Sequence, residues 1–249
     1  MHIEELLRES RDFQRLLAAR KKECGPVGFP WYPYGTLSNF DHLQRLLTGA
    51  NRALAPLDSG RPIADVGGAD GDLAFFLESK GVANIDVVDF APTNYNSLRG
   101  VRMLKDHLGS KVAIHEMDLD SYFRWPRDDY ELVFFLGILY HLKNPYYVLE
   151  SLAKVTRYSL ISTRVARLGA DRKTVIENQA LAYLVAPDEC NNDATNFWIF
   201  SKQGLSRILD RAGWTILDYL SVGDTGNSDP ASADHDERAF VFVKSRWRD

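Results

Sequence analysis

The chain has 249 residues, 45% of them hydrophobic and 12% aromatic, and a formal net charge of -4. That is enough for one large domain, or a domain with a small insertion, around a sizeable core. The mildly acidic balance, with no dense Lys/Arg run, gives no sign of the basic face that holds a long phosphate backbone. The nearest run, Arg20-Lys21-Lys22, reads as cations closing a helix. Two cysteines, Cys24 and Cys190, stand far apart and outside any CxxC or Cys/His spacing, which argues against a disulfide framework or a zinc site. The charged N-terminus does not read as a signal peptide, and no apolar run approaches the roughly 20 residues of a membrane helix. These features lead us to expect a soluble, cytoplasmic protein.

In chain order, residues 3–22 place Ile3, Leu6, Leu7, Phe13, Leu16 and Leu17 at helical spacing. A Gly-, Pro- and aromatic-rich segment follows, from Cys24 to Phe40, which cannot be a regular element. A second helix is expected over Asp41–Leu54. Together residues 1–60 read as a helical extension or cap. From Arg61 strands and helices alternate. Strands are expected at Pro62–Val66, Asn84–Asp89, Lys111–Glu116, Tyr130–Leu136 and Tyr158–Thr163. The helices are Asp72–Lys80, Tyr95–Leu108 and Pro145–Thr156, the last with proline in its first turn. Continuous apolar strands alternating with helices imply a parallel sheet covered on both faces. Residues 164–200 break the rhythm as an insertion, with a helix expected near Thr174–Val185. Ser201–Ala212 reads as a helix capped by Ser201. Trp214–Val222 and Arg238–Lys244 read as strands joined without a helix, an antiparallel pair at the sheet edge. The polar loop between them, residues 223–237, reads as solvated surface.

The segment Ile63-Ala64-Asp65-Val66-Gly67-Gly68-Ala69-Asp70-Gly71-Asp72 ends a strand and opens a helix. Its glycines allow a sharp turn and close approach to a ligand. It lacks the second and third glycines of the dinucleotide pattern G-x-G-x-x-G. Asp70 would repel a pyrophosphate, so the turn favours a cationic ligand. The plain alternative is an ordinary strand-to-helix turn. Asp89, with Phe90 after it, ends the next strand, where an acid can accept ribose hydroxyls; otherwise it caps a turn. Asp118 and Leu119 follow the third strand and could hold and cover an adenine; otherwise Asp118 serves a turn. After the fourth strand, Leu136 and Gly137 would pass the methionine half of a cofactor. Tyr140 and His141 would sit at the mouth of the site, His141 as a general base or as a structural histidine bonded to backbone.

In combination these four segments resemble the class I S-adenosylmethionine (SAM)-dependent methyltransferases over about Arg61–Thr163, with the final strands extending the match to near Lys244. Ala69 stands where the commonest glycine motif has glycine. The resemblance implies a Rossmann-like methyltransferase fold: a doubly wound, mostly parallel, seven-stranded α/β sheet with an antiparallel edge strand, an N-terminal helical extension and an insertion after the fifth strand, residues 61–249 forming the SAM-binding domain. It implies SAM as cofactor, held by Asp65, Gly67, Gly68, Ala69, Gly71, Asp89, Phe90, Asp118, Leu119, Leu136 and Gly137, and no metal. The stretches LGILYHLKNPYYVLESL and NNDATNFWIFSKQGLSRILDRAGW are also similar to a branch near the tRNA wobble-uridine (carboxy)methyltransferases. In those enzymes a tyrosine matching Tyr140 helps bind the carboxylate of carboxy-SAM.

Methyl transfer from a sulfonium needs mainly alignment in a water-poor pocket. His141 and Tyr140 are the candidate catalytic residues. The candidate acceptor contacts are Tyr34, Tyr140, Asn196 and Trp198, within Trp31–Tyr34 and the insertion, where amides and aromatic rings suit a sugar, nucleoside or aromatic metabolite; Phe197, Trp198 and Phe200 could equally be core. The expected activity is methyl transfer to oxygen or nitrogen of a small molecule or glycan. Competing expectations are a tRNA uridine-modifying (carboxy)methyltransferase, a non-catalytic SAM-fold module, and, against the missing glycines, an NAD-dependent dehydrogenase. The sequence sets neither the acceptor nor the oligomeric state.

Overall fold

Helix α1 (Ile3–Glu23) has acidic residues in its first turn and Arg20, Lys21 and Lys22 in its last, matching the helix dipole. Its buried stripe includes Leu6 and Leu17, and Phe13 packs on Phe76 with ring centroids 5.6 Å apart. The computed structural model describes residues 3–46, 57 and 59–248. The chain divides into two units, Met1–Phe134 and Phe135–Asp249.

In the first unit, β1 (Ile63–Val66), β2 (Ile85–Asp89) and β3 (Ala113–Glu116) pair in parallel, and the strand order is β3-β2-β1-β4, with β4 at Tyr130–Leu136. Every residue of β1 is buried, as are the first four of β2, because both faces of the sheet are covered. Helix α2 (Asn39–Leu43) contributes Phe40, whose ring meets Phe76 of α3 (Asp72–Ser79) at 5.4 Å. Only the start of the expected helix Asp41–Leu54 is described; residues 47–54 lie outside the described residues. Helix α4 (Arg99–Leu108) begins four residues later than its apolar pattern suggests. Ser97 and Leu98 adopt left-handed φ of 58° and 62°, and Asn94 Oδ1 accepts the N–H groups of Asn96 and Leu98, so local side-chain bonds hold the chain in a turn.

The second unit takes the end of β4 in the order β4-β5-β7-β6, where β5 is Thr156–Ala166, β6 Ala182–Leu184 and β7 Trp198–Ser201. Strand β9 (Glu237–Ser245) runs antiparallel to β5, and β8 (Trp214–Gly223) antiparallel to β9. The expected terminal antiparallel pair is therefore present. Helix α5 (Pro145–Val155) starts on Asn144, whose side chain accepts the Tyr147 N–H. Helix α6 (Lys202–Arg211) starts on Ser201, whose hydroxyl accepts the Gly204 N–H at 2.9 Å. Trp214 donates its indole N–H to Leu149 O at 3.0 Å.

Two expectations fail in this unit. No helix forms over Thr174–Val185. That stretch instead gives turns and β6, which pairs with β7 as Ala182↔Phe200 and Leu184↔Trp198. With β6 and β7 the described strands number nine, two more than expected. The polar loop 223–237 is not simply surface: Ser228 and Asp229 are fully buried. Ser228 Oγ donates to Glu237 at 2.7 Å, Asp229 Oδ1 accepts the Ala231 and Ser232 N–H groups, and Asp229 Oδ2 lies 3.3 Å from Arg172 Nε.

Candidate functional site

The turn after β1 is built by backbone conformations that favour glycine. Gly67 and Gly71 have φ of 71° and 83°, and Ala69 shares the left-handed region at 51°. A Cβ at Gly68 would sit 2.9 Å from Asp65 Oδ2 and 3.0 Å from Val87 Cγ1, so only glycine fits there. The turn is tied to the end of β2: Gly67 N–H donates to Val88 O at 2.8 Å and Ala69 N–H to Asp89 Oδ2 at 3.1 Å. Asp89 also accepts from Phe90 N–H at 2.7 Å and Asn94 Nδ2 at 2.9 Å. The structure thus gathers Asp65, Gly67, Gly68, Ala69, Gly71, Asp89 and Phe90 into one place.

Asp65 is buried, and its Oδ2 has no hydrogen-bond partner among the described residues. Burial first, then the charges of Asp89 and Asp72, push its carboxyl up to about 7. Burial also raises Asp89, against the hydrogen bonds from Asn94, Phe90 and Ala69. A crowded acidic turn with an orphaned carboxylate oxygen suits a ligand carrying positive charge. SAM, with its ammonium and sulfonium, meets that requirement; an NAD pyrophosphate does not.

Asp70, which the sequence offers as the discriminating acid, plays a different part. It is 1% exposed and accepts from Lys21 Nζ at 2.8 Å, Tyr32 N–H at 2.9 Å and Asn96 Nδ2 at 2.7 Å. Its charge is spent on anchoring α1 and the aromatic segment to the turn. Lys21 lies also 3.3 Å from Asp72 Oδ1 and 5.4 Å from the Trp31 ring centroid. Arg20 pairs with Glu23, so the run at the end of α1 is not an open basic patch. Tyr32 holds Tyr34 and Tyr95 edge-on at 5.4 and 5.9 Å, and both partners are exposed. Lys21, Asn94, Asn96 and Tyr95 escape a reading of local motifs. The Asn94-Tyr95-Asn96 triplet before α4 is the signal that could have exposed three of them.

Asp118 lies just past β3, and Met117 N–H donates to Asp89 O at 2.9 Å. Its Oδ1 accepts the Asp120 N–H at 2.9 Å, a turn bond, and Leu119 is buried.

In the second unit, Leu136 ends β4 and Gly137 turns with φ 76°, its N–H meeting Ser162 O and Oγ at 3.1 and 2.9 Å. A Cβ on Gly137 would lie 3.9 Å from the Tyr140 hydroxyl. Tyr140 and His141 share a short 3-10 turn, Leu139–His141, with ring centroids 4.1 Å apart. His141 Nδ1 lies 3.0 Å from Thr195 O and 3.1 Å from Thr195 Oγ1. Donation from Nδ1 to that carbonyl leaves Nε2 as the lone-pair nitrogen. Burial lowers the His141 pKa, and burial raises that of Tyr140. Asn196 is buried and donates to Cys190 O at 3.1 Å, bracing its own loop; its Oδ1 lacks a hydrogen-bond partner among the described residues. Trp198 is half-buried, with its indole N–H on Lys143 O at 3.4 Å, whereas Phe200 is core.

Comparison with known proteins gives this geometry its context. The model of a family described as a methyltransferase domain matches residues 40–219. No curated protein sequence matches the chain. Among solved structures, it is similar to the N-terminal domain of EvdMO1 with SAH bound, at 14% identity over 99% of this chain and 98% of that one, TM-score 0.59. It is similar to the [4+2]-cyclase SpnF, at 15% identity over 96% of each chain, TM-score 0.60. A third is a SAM-dependent methyltransferase from Mesorhizobium loti, at 12% identity over 83% of this chain and 97% of that one, TM-score 0.58. At such identities these structures speak for the fold, a Rossmann-like α/β sheet. Because the family model spans most of the chain and an orphaned acid stands in its glycine turn, the chain belongs to the methyltransferase domain family and is a SAM-dependent methyltransferase of the class I superfamily.

Proposed function

We propose that the chain methylates an oxygen or nitrogen of a small molecule or glycan, with His141 taking the proton that the acceptor loses. The observation that carries this reading is the state of His141: Nδ1 is fixed on Thr195 and burial keeps the ring neutral, so Nε2 is left to accept a proton. A thioether acceptor, which loses no proton, would have no need of such a base.

When bound, SAM supplies a methyl already activated by the sulfonium. In this reading the first unit holds the cofactor. The Asp65 carboxylate balances its positive charge, the Gly67–Ala69 backbone lies close to it, and Asp89 accepts the ribose hydroxyls through the lone pairs left over from its own hydrogen bonds. Asp118 and Leu119 serve the adenine. In the second unit, Tyr140 and Trp198 offer aromatic surface and hydrogen-bonding tips to the acceptor.

The test is transfer of labelled methyl from SAM into fractionated cell extract, with the product class identified. Labelling of small molecules or glycans is expected. Label found in tRNA would replace this reading with uridine modification, and no transfer by a protein that binds SAM would replace it with a non-catalytic module.

A further inference from the structure

His141 is oriented by residues 54 positions further along the chain, in the loop that leads into β7. Phe197 N–H donates to Tyr140 O at 2.8 Å, which fixes that loop on the Leu139–His141 turn. Within the loop, Asp193 Oδ1 accepts the Thr195 N–H at 2.9 Å and the Thr195 hydroxyl at 2.6 Å. Thr195 Oγ1 in turn lies 3.1 Å from His141 Nδ1. Just before Asp193, the consecutive residues Cys190, Asn191 and Asn192 adopt left-handed φ of 48°, 73° and 54°. Such a run is costly and persists only where the surroundings hold it. Here Cys190 N–H donates to Ala231 O at 3.1 Å, and Asn196 Nδ2 donates to Cys190 O at 3.1 Å.

Counting protons gives these bonds their polarity. A carboxylate oxygen only accepts, and a hydroxyl has a single proton. The 2.6 Å contact therefore uses the Thr195 proton, and Oγ1 faces His141 with lone pairs alone. Thr195 O, 3.0 Å from Nδ1, also only accepts. Both contacts demand a proton on Nδ1. Asp193 has no ion pair among the described residues, so its charge is left to act through Thr195. Burial lowers the His141 pKa, and the Thr195 carbonyl and the Asp193 charge raise it. The other titratable groups at hand are Tyr140, with its ring centroid 4.1 Å from that of His141, and Lys143, whose Nζ lies 5.8 Å from the Phe197 ring centroid.

We propose that Asp193 and Thr195 are positioning residues for His141, a carboxylate–hydroxyl bridge that fixes its Nδ1–H tautomer and stabilises the imidazolium formed when Nε2 takes the acceptor's proton. The inference rests on the base role of His141 argued above and adds two residues that act through it. The proton balance is simple. The acceptor's proton ends on Nε2, while Nδ1 and Thr195 Oγ1 each keep their own, so none passes to Asp193. The carboxylate acts by its charge, one hydroxyl away from the ring, where it favours the cationic form.

The experiment uses the full chain, isotope-labelled at the histidine ring nitrogens. Long-range proton–nitrogen spectra read the tautomer and titration of each ring, and His141→Gln identifies the His141 signal by its loss. The wild type is expected to show Nδ1 protonated and Nε2 bare once the ring is neutral. Asp193→Asn keeps an acceptor for both Thr195 bonds, so it preserves the loop while removing the charge. It should lower the His141 pKa by about 0.5 to 1 pH unit. Thr195→Ser should leave that pKa unchanged, and Thr195→Val should lower it as Asp193→Asn does. Near neutral pH, Asp193→Asn should also slow labelled methyl transfer about threefold, the consequence of a weaker base, with SAM affinity within about twofold. A neutral wild-type His141 with its proton on Nε2 would overturn the bridge. An unchanged His141 pKa in a folded Asp193→Asn protein would also overturn it, and would confine Asp193 to shaping the loop. If Asp193→Asn does not fold, Thr195→Val against Thr195→Ser carries the same comparison. Failure of the methyltransferase reading would show separately, as a wild type that transfers no methyl while its spectra still show the bridge.

Discussion

Lys21 Nζ on α1 stands 2.8 Å from Asp70 Oδ2 in the glycine turn, and the two side chains are only 16% and 1% exposed. This pair ties the N-terminal helix to the glycine turn. With Tyr32 N–H and Asn96 Nδ2 on the same carboxylate, Asp70 joins α1, the aromatic segment and the approach to α4. A Cβ at Gly100 would collide with Asp70 Oδ1, so a glycine in α4 makes room for the latch.

Removing Lys21 leaves the buried Asp70 carboxylate with only the neutral donors Tyr32 N–H and Asn96 Nδ2, and breaking such a buried pair costs up to about 3–5 kcal/mol. Lys21→Met should therefore lower the denaturant midpoint markedly, and Lys21→Met with Asp70→Asn should recover most of the loss. Equal stability of the single and double variants would show that the pair is not coupled.

Asp65 gives a pH signature with a definite sign. Its folded carboxyl titrates near 7, above the ordinary carboxylate range, so in the free protein it favours the protonated form. The stability it contributes is present at low pH and is lost as pH rises toward 7. A cationic ligand favours the ionised form, so SAM affinity should rise with pH up to about 7 and then level off, with proton release on binding below that point. Asp65→Asn should flatten the profile. Calorimetry in buffers of different ionisation enthalpy reads both effects.

His141 should behave as a base and not as a cofactor ligand. Its lowered pKa keeps it neutral near pH 7, and activity should fall only when acid protonates it. Loss of a general base costs about 100- to 10,000-fold in rate. His141→Gln should reduce labelled methyl transfer by about that range while SAM affinity stays within twofold. Transfer at the wild-type rate would assign His141 to bracing the Thr195 loop alone.

Much of the fold is legible in the sequence where one element decides its own structure. The continuous apolar runs of β1, β2 and β4 are strands because both faces are covered, and α1 shows its buried stripe directly. Distant partners decide the rest. The stretch around Ala182 carries a helix-like apolar pattern, yet Leu181 N–H pairs with Gln179 O and Ser201 Oγ, and β6 pairs with β7, so long-range pairing overrides local preference. Asp70 looks like a ligand residue in the motif. Only the fold brings Lys21, 49 positions earlier, onto it. Ser228 and Asp229 look like surface because their burial depends on partners such as Glu237 and on the backbone of their own loop.

The central claim is that the turn after β1 and Asp89 hold SAM, and calorimetry of SAM binding to wild type and to Asp89→Ala tests it most directly. Asp89→Ala removes the proposed ribose acceptor and the bond from Ala69 N–H that shapes the turn. The expected result is saturable one-to-one binding by the wild type and at least a tenfold weaker affinity in a folded Asp89→Ala protein. Wild-type affinity in that variant would contradict the account.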